Sequence, residues 1–82
     1  MNAIQTINTE YLSPSRTIET ILVSKNNLNK VFFVYNYEGN SFRVFENHLG
    51  LINFFQDKAV SDFHFETDGQ LDDFLAAVNI SA

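Results

Sequence analysis

His64, Glu66 and Asp68 alternate along the chain, and alternate residues of a strand share one face. An imidazole with two carboxylates is a donor set that zinc, iron or manganese accepts. Asp68, however, falls past the expected end of the strand, where the positive end of a helix accounts for a carboxylate without a metal. No metal site is therefore assigned, and a small metal-dependent protein using His64 ranks third among the readings. Asp72 and Asp73 are adjacent carboxylates, but neighbours on a helix point about 100° apart and share a proton poorly. The chain has no cysteine, which removes thiolate nucleophiles, thiolate metal sites and disulfides together. Neither His48 nor His64 belongs to a recognisable nucleophile–base arrangement. Gly-x-Ser-x-Gly, phosphate-loop and dinucleotide glycine patterns are absent from a chain with three glycines. The sequence predicts no enzyme, no catalytic residues and no cofactor.

Aromatic residues are the surplus. Nine Phe and three Tyr among 82 residues exceed what one small core needs. A chain this short hides only about 60–65% of the surface its unfolded form exposes, so association is one of the few remaining ways to add stability. Phe33, Tyr35 and Tyr37 alternate on one strand and form a candidate interaction face. An exposed aromatic face is commonly an association surface.

Charge is uneven. Residues 1–43 balance at +1, with Arg16, Lys25, Lys30 and Arg43 against three acids; residues 44–82 balance at −6, with Lys58 against seven acids. Four scattered bases argue against direct nucleic-acid binding, which needs a basic face. The acidic half offers a second candidate surface in Glu66, Asp68, Asp72 and Asp73. Carboxylates so spaced can imitate phosphates and occupy a basic groove, as a small inhibitor of the anti-CRISPR or anti-restriction type would. The leading expectation is a non-enzymatic protein–protein interaction module, a homodimer through the aromatic face. The acidic mimic is the alternative. The first residues contain no basic group and no long apolar run, so neither a secretory signal nor a membrane span is expected, and the location expected is cytoplasmic.

The elements that must carry these residues are legible in outline. Residues 1–16 hold the only proline and read as an N-terminal appendage that packs on the domain or a neighbour; residues 17–82 read as one domain. Thr17–Ser24 is rich in β-branched residues, Val31–Tyr37 is the strongest strand, and Ser41–Phe45 returns as its hairpin partner. Asn26, Asn27, Gly39 and Asn40 suit positive φ in the two intervening turns. Asn47 caps a helix whose expected stripe is Leu49, Ile52 and Phe55, with Leu51 and Phe54 beside them. Ser61–Glu66 alternates as a fourth strand. Thr67-Asp-Gly-Gln70 is a capping box before Leu71, Phe74, Leu75 and Val78 at helical spacing. The order β-β-β-α-β-α predicts a two-layer α+β domain with a mainly antiparallel four-stranded sheet. Both helices are expected on one face, with the fourth strand entering parallel by a helical crossover. Residues 41–55 and 61–75 echo each other, with Phe45-Glu46 and Phe65-Glu66 each ending a strand before a helix.

Overall fold

A computed structural model describes residues 2–39 and 41–80. Five strands and two helices follow in the order β1 (Ala3–Ser13), β2 (Arg16–Lys25), β3 (Leu28–Tyr37), β4 (Ser41–Phe45), α1 (His48–Phe55), β5 (Phe63–Phe65) and α2 (Asp68–Ala77). The strands form one antiparallel meander, each paired with its neighbour in sequence. The α+β class and the mainly antiparallel sheet are as expected. The sheet has a fifth strand because residues 3–13, from the stretch read as an appendage, pair with β2.

Short turns of two or three residues make the meander possible. Asn26 and Asn27 both take positive φ, 53° and 65°, the geometry that joins twisted antiparallel strands without splaying them. Glu38 and Gly39 also take positive φ, 55° and 81°, in the three-residue connection between β3 and β4; the expected contribution of Asn40 lies outside the described residues.

Each face of the sheet carries a helix. Ile21, Val23, Phe32, Val34, Phe42 and Val44 pack against Leu71 and Leu75 of α2, joined by Phe63, Phe65 and Phe74. Tyr35 and Phe45 pack against Leu51 of α1, joined by Ile18, Phe33 and Phe54. Phe32 and Phe33 are neighbours on one strand and so point to opposite sides. The helices therefore lie on opposite faces, three layers in place of the two expected. Strand register supplies the reason. Phe65 pairs with Phe42, and Phe45 lies three residues from Phe42, an odd step that turns it to the other side. Each helix packs over the face to which the phenylalanine ending its own strand points.

The β4–β5 pairing is antiparallel, where a parallel crossover was expected. α1 starts beside Phe33, through His48, and ends beside Tyr35, through Phe54 and Phe55. It thus carries the chain to the Ser41 end of β4, from which a parallel strand would begin. Residues 56–62 instead return it to the Val44 end. Asp57 ends the helix at positive φ, with Lys58 N–H donating to Asn53 (2.9 Å) and Asp57 N–H to Phe54 (3.0 Å), the two bonds of a Schellman cap. Seven extended residues span about 23 Å, more than the ~17 Å of a five-residue strand. Asp62 closes the return: its N–H donates to Val44 (3.0 Å), and its Oδ2 accepts from Glu46 N–H (2.8 Å).

Both helix starts are capped as the sequence predicts. Asn47 Oδ1 accepts from Gly50 N–H at 2.7 Å, and Thr67 Oγ1 from Gln70 N–H at 3.1 Å. The Gln70 side chain reaches one residue further back than a standard capping box, accepting from Glu66 N–H at 2.9 Å. α2 buries Leu71 and Leu75 as expected. α1 turns differently: Leu51 is buried, while Leu49, Ile52 and Phe55 are exposed. In a helix of two turns, both apolar stripes satisfy the spacing, and only the partner surface selects between them.

Candidate functional site

The aromatic face was expected to lie open because both helices were placed on the other side. α1 instead uses it as a floor. Tyr35 is 6% exposed with the Phe55 and Phe54 rings at 4.8 and 6.1 Å, and Phe33 is half-buried against His48 at 5.4 Å. Tyr37 alone of the three stays exposed.

What remains open beside Tyr37 is a cleft of about 320 Å³ at the end of α1, between the helix and strands β2 to β4. Strand register assembles it. Arg16, Tyr37 and Ser41 are successive cross-strand partners, and Ile18, Tyr35, Arg43 and His64 form the next row on the same face. Arg16 stacks over the Tyr37 ring at 4.6 Å, and Arg43 stands 5.8 Å from the Phe54 ring. These are the chain's two arginines, 27 positions apart and read from sequence as scattered. His64 Nε2 lies 3.1 Å from Ser41 Oγ. Among the described residues, no group of three His, Cys, Asp or Glu side chains is placed to hold a metal, and His64 has a serine beside it in place of Glu66.

A second feature is apolar. Seven of the nine large hydrophobic side chains exposed among the described residues lie on two elements: Ile4, Ile7, Tyr11 and Leu12 on β1, and Leu49, Ile52 and Phe55 on α1. Three of the seven, Leu12, Ile52 and Phe55, meet at a groove of about 300 Å³ that Ile18 and Leu51 also line, with Glu10 and His48 at its polar margin. β1 is an edge strand paired on one side only, and Glu10 is the one charged residue in its eleven. The association potential of this strand was missed because residues 1–16 show only four spaced apolar side chains, a pattern shared by a weak helix and a strand.

The acidic candidates Glu66, Asp68, Asp72 and Asp73 are all exposed, running from the end of β5 along α2. Asp68 occupies the first turn of α2, where it faces the positive end of the helix dipole. The single ion pair among the described residues is elsewhere, between Lys30 and Glu46 at 3.1 Å. No described helix is long and apolar enough to cross a membrane. No protein-family model matches the chain, and neither a curated protein nor a solved structure is significantly similar to it, so the chemistry of these surfaces rests on their own geometry.

Proposed function

We propose that the protein is a non-enzymatic interaction module that pairs with a second copy of itself through the β1 edge. The observation that carries this reading is the composition of that edge: eleven residues, one charge, and four outward apolar side chains. An edge strand presents a row of unpaired backbone donors and acceptors, and natural sheets guard such rows with lysine, proline or short length. β1 has no lysine, is the longest strand, and keeps its proline outside, at Pro14. Glu10 and the register shifts at Ile7 and Leu12 are the protective devices present, since a charge opposes pairing and bulges twist an edge away from partners.

A two-fold antiparallel pairing of β1 with β1 satisfies both edges at once and needs no other molecule. The exposed stripe of α1 adjoins the groove beside Leu12, so the same contact would cover Ile52 and Phe55. An apolar contact of this kind is insensitive to salt, because Debye screening acts on charges.

Light scattering tests the proposal. The expected mass is twice the 9.4 kDa of one chain at micromolar concentration, in low and high salt alike. The double variant Ile7→Lys, Leu12→Lys should be monomeric with an unchanged circular dichroism spectrum, and Tyr37→Asp should remain dimeric. A wild-type mass of one chain across the concentration range refutes the proposal, as does a dimer that survives the double variant.

A further inference from the structure

The cleft at the end of α1 holds an arrangement that folding alone does not require. The chain is acidic overall, with ten carboxylates to five basic side chains, yet neither arginine makes an ion pair among the described residues. Asp57 lines the cleft but is not within salt-bridge distance of either guanidinium. Arg16 makes one long contact, 3.5 Å to the Tyr37 hydroxyl. Stacking on an aromatic ring occupies the flat face of a guanidinium and leaves its in-plane N–H donors free, and those donors match the two oxygens of a carboxylate or phosphate.

The walls add a second requirement. Tyr35, Tyr37, Phe54 and Phe55 line the same space, with Tyr35 6.2 Å from Tyr37 and 4.8 Å from Phe55. Tyr37 and Phe55 keep exposed ring surface there, which a bare inorganic anion would leave uncovered. The volume, about 320 Å³, sits at the small end of ligand pockets, which run from about 300 to 1,000 Å³. One ring with one charged group fits that space.

We propose that this cleft binds a small aromatic oxyanion, a single ring carrying one carboxylate or phosphate, with Arg16 and Arg43 holding the anionic group and the tyrosine and phenylalanine rings packing its ring. Tyr37 and Ser41 present hydroxyls at the same rim, able to donate to the oxyanion or accept from a ring substituent. The site lies over β2 to β4, away from the outer edge of β1, and Phe55 is the lining residue it shares with the groove beside Leu12.

The two arginines also make the test clean, because a ¹⁵N-labelled sample has two arginine Nε–Hε signals and both belong to this cleft. Phenyl phosphate and benzoate are titrated separately, with benzyl alcohol as the neutral ring and inorganic phosphate as the anion without a ring. Saturable movement of both signals is expected with phenyl phosphate or benzoate, and the tighter of the two identifies the oxyanion. Benzyl alcohol and inorganic phosphate should each bind at least about tenfold more weakly, the factor that one charge-assisted hydrogen bond or one ring contact of about 1.4 kcal/mol supplies. Arg16→Gln or Arg43→Gln should weaken the aromatic anion by a similar factor with the sheet amide signals unchanged. Lys25→Gln, the same charge change far from the cleft, should leave it alone. The absence of saturation with either aromatic anion overturns the proposal for the wild-type protein, whatever the variants do. Equal binding of benzyl alcohol removes the arginines' role; equal binding of inorganic phosphate removes the rings' role. An equal loss in Lys25→Gln reduces the effect to net charge.

Discussion

Phe74 is the side chain through which α2 holds its end of the sheet, and its removal gives a magnitude that can be worked out. Its ring lies 5.5 Å from Phe32, edge-on, and 4.6 and 5.1 Å from Phe63 and Phe65. Phe32 is fully buried, whereas Phe74 is only partly so. Full burial of a phenylalanine is worth about 1.5–3 kcal/mol, so a half-buried one contributes about 1–1.5. Three ring pairs at the low end of about 0.5–1.5 kcal/mol each add about 1.5 more. Phe74→Ala should therefore cost about 3 kcal/mol, below the extreme for a fully enclosed ring because water already reaches one side. A domain of this length has about 4–12 kcal/mol in all, so the loss is a large share of the total. Urea denaturation followed by circular dichroism at fixed protein concentration measures it, because concentration alone shifts the midpoint of a self-associating protein. With a slope of about 1 kcal/mol per molar urea, the midpoint should fall by about 3 M. Asp73→Ala, one residue away and exposed, should change stability by less than about 0.5 kcal/mol. Equal effects from the two substitutions would refute the packing assigned to α2.

Two further substitutions test single contacts. The Asn2 amide donates to the carbonyls of Leu75 at 3.0 Å and Val78 at 2.9 Å, tying the last turn of α2 to the start of β1; Asn2→Ala should cost about 1–3 kcal/mol in the same urea assay. Asn2→Asp should cost more than Asn2→Ala, since a carboxylate would face two carbonyl oxygens, and the reverse order would show that the clamp is not formed. Asp57 takes φ +56° at the end of α1, where glycine avoids the Cβ clash, so Asp57→Gly should raise stability by up to about 1 kcal/mol despite glycine's entropy; a loss would mean that the carboxylate is held by a contact stronger than the strain it carries.

Local chemistry was legible in the chain itself. Asn47 and Thr67 announce their helices because a side-chain oxygen two or three residues before a backbone donor is a short-range geometry. Asn26, Asn27 and Gly39 announce turns for the same reason, since positive φ is a property of one residue. The Leu71, Phe74, Leu75, Val78 spacing identified the inward side of α2 because its alternative side, with Asp72 and Asp73, is charged. Where neither side was charged, the chain was silent: α1 has two apolar stripes, and Ile4, Ile7, Tyr11 and Leu12 fit more than one element. Those choices were made by partners distant in sequence. β1 is a strand because β2 pairs with it, and Leu51 faces inward because Tyr35 and Phe45 lie beneath it. The helices part to opposite faces because the β4–β5 register sets Phe65 on the same face as Phe42, while Phe45, an odd step along β4, points the other way. The β2–β3 and β3–β4 registers likewise position Arg16 and Arg43 over one aromatic cleft. A one-residue slip would turn either strand's side chains to the other face, and no local feature of the chain records which register wins.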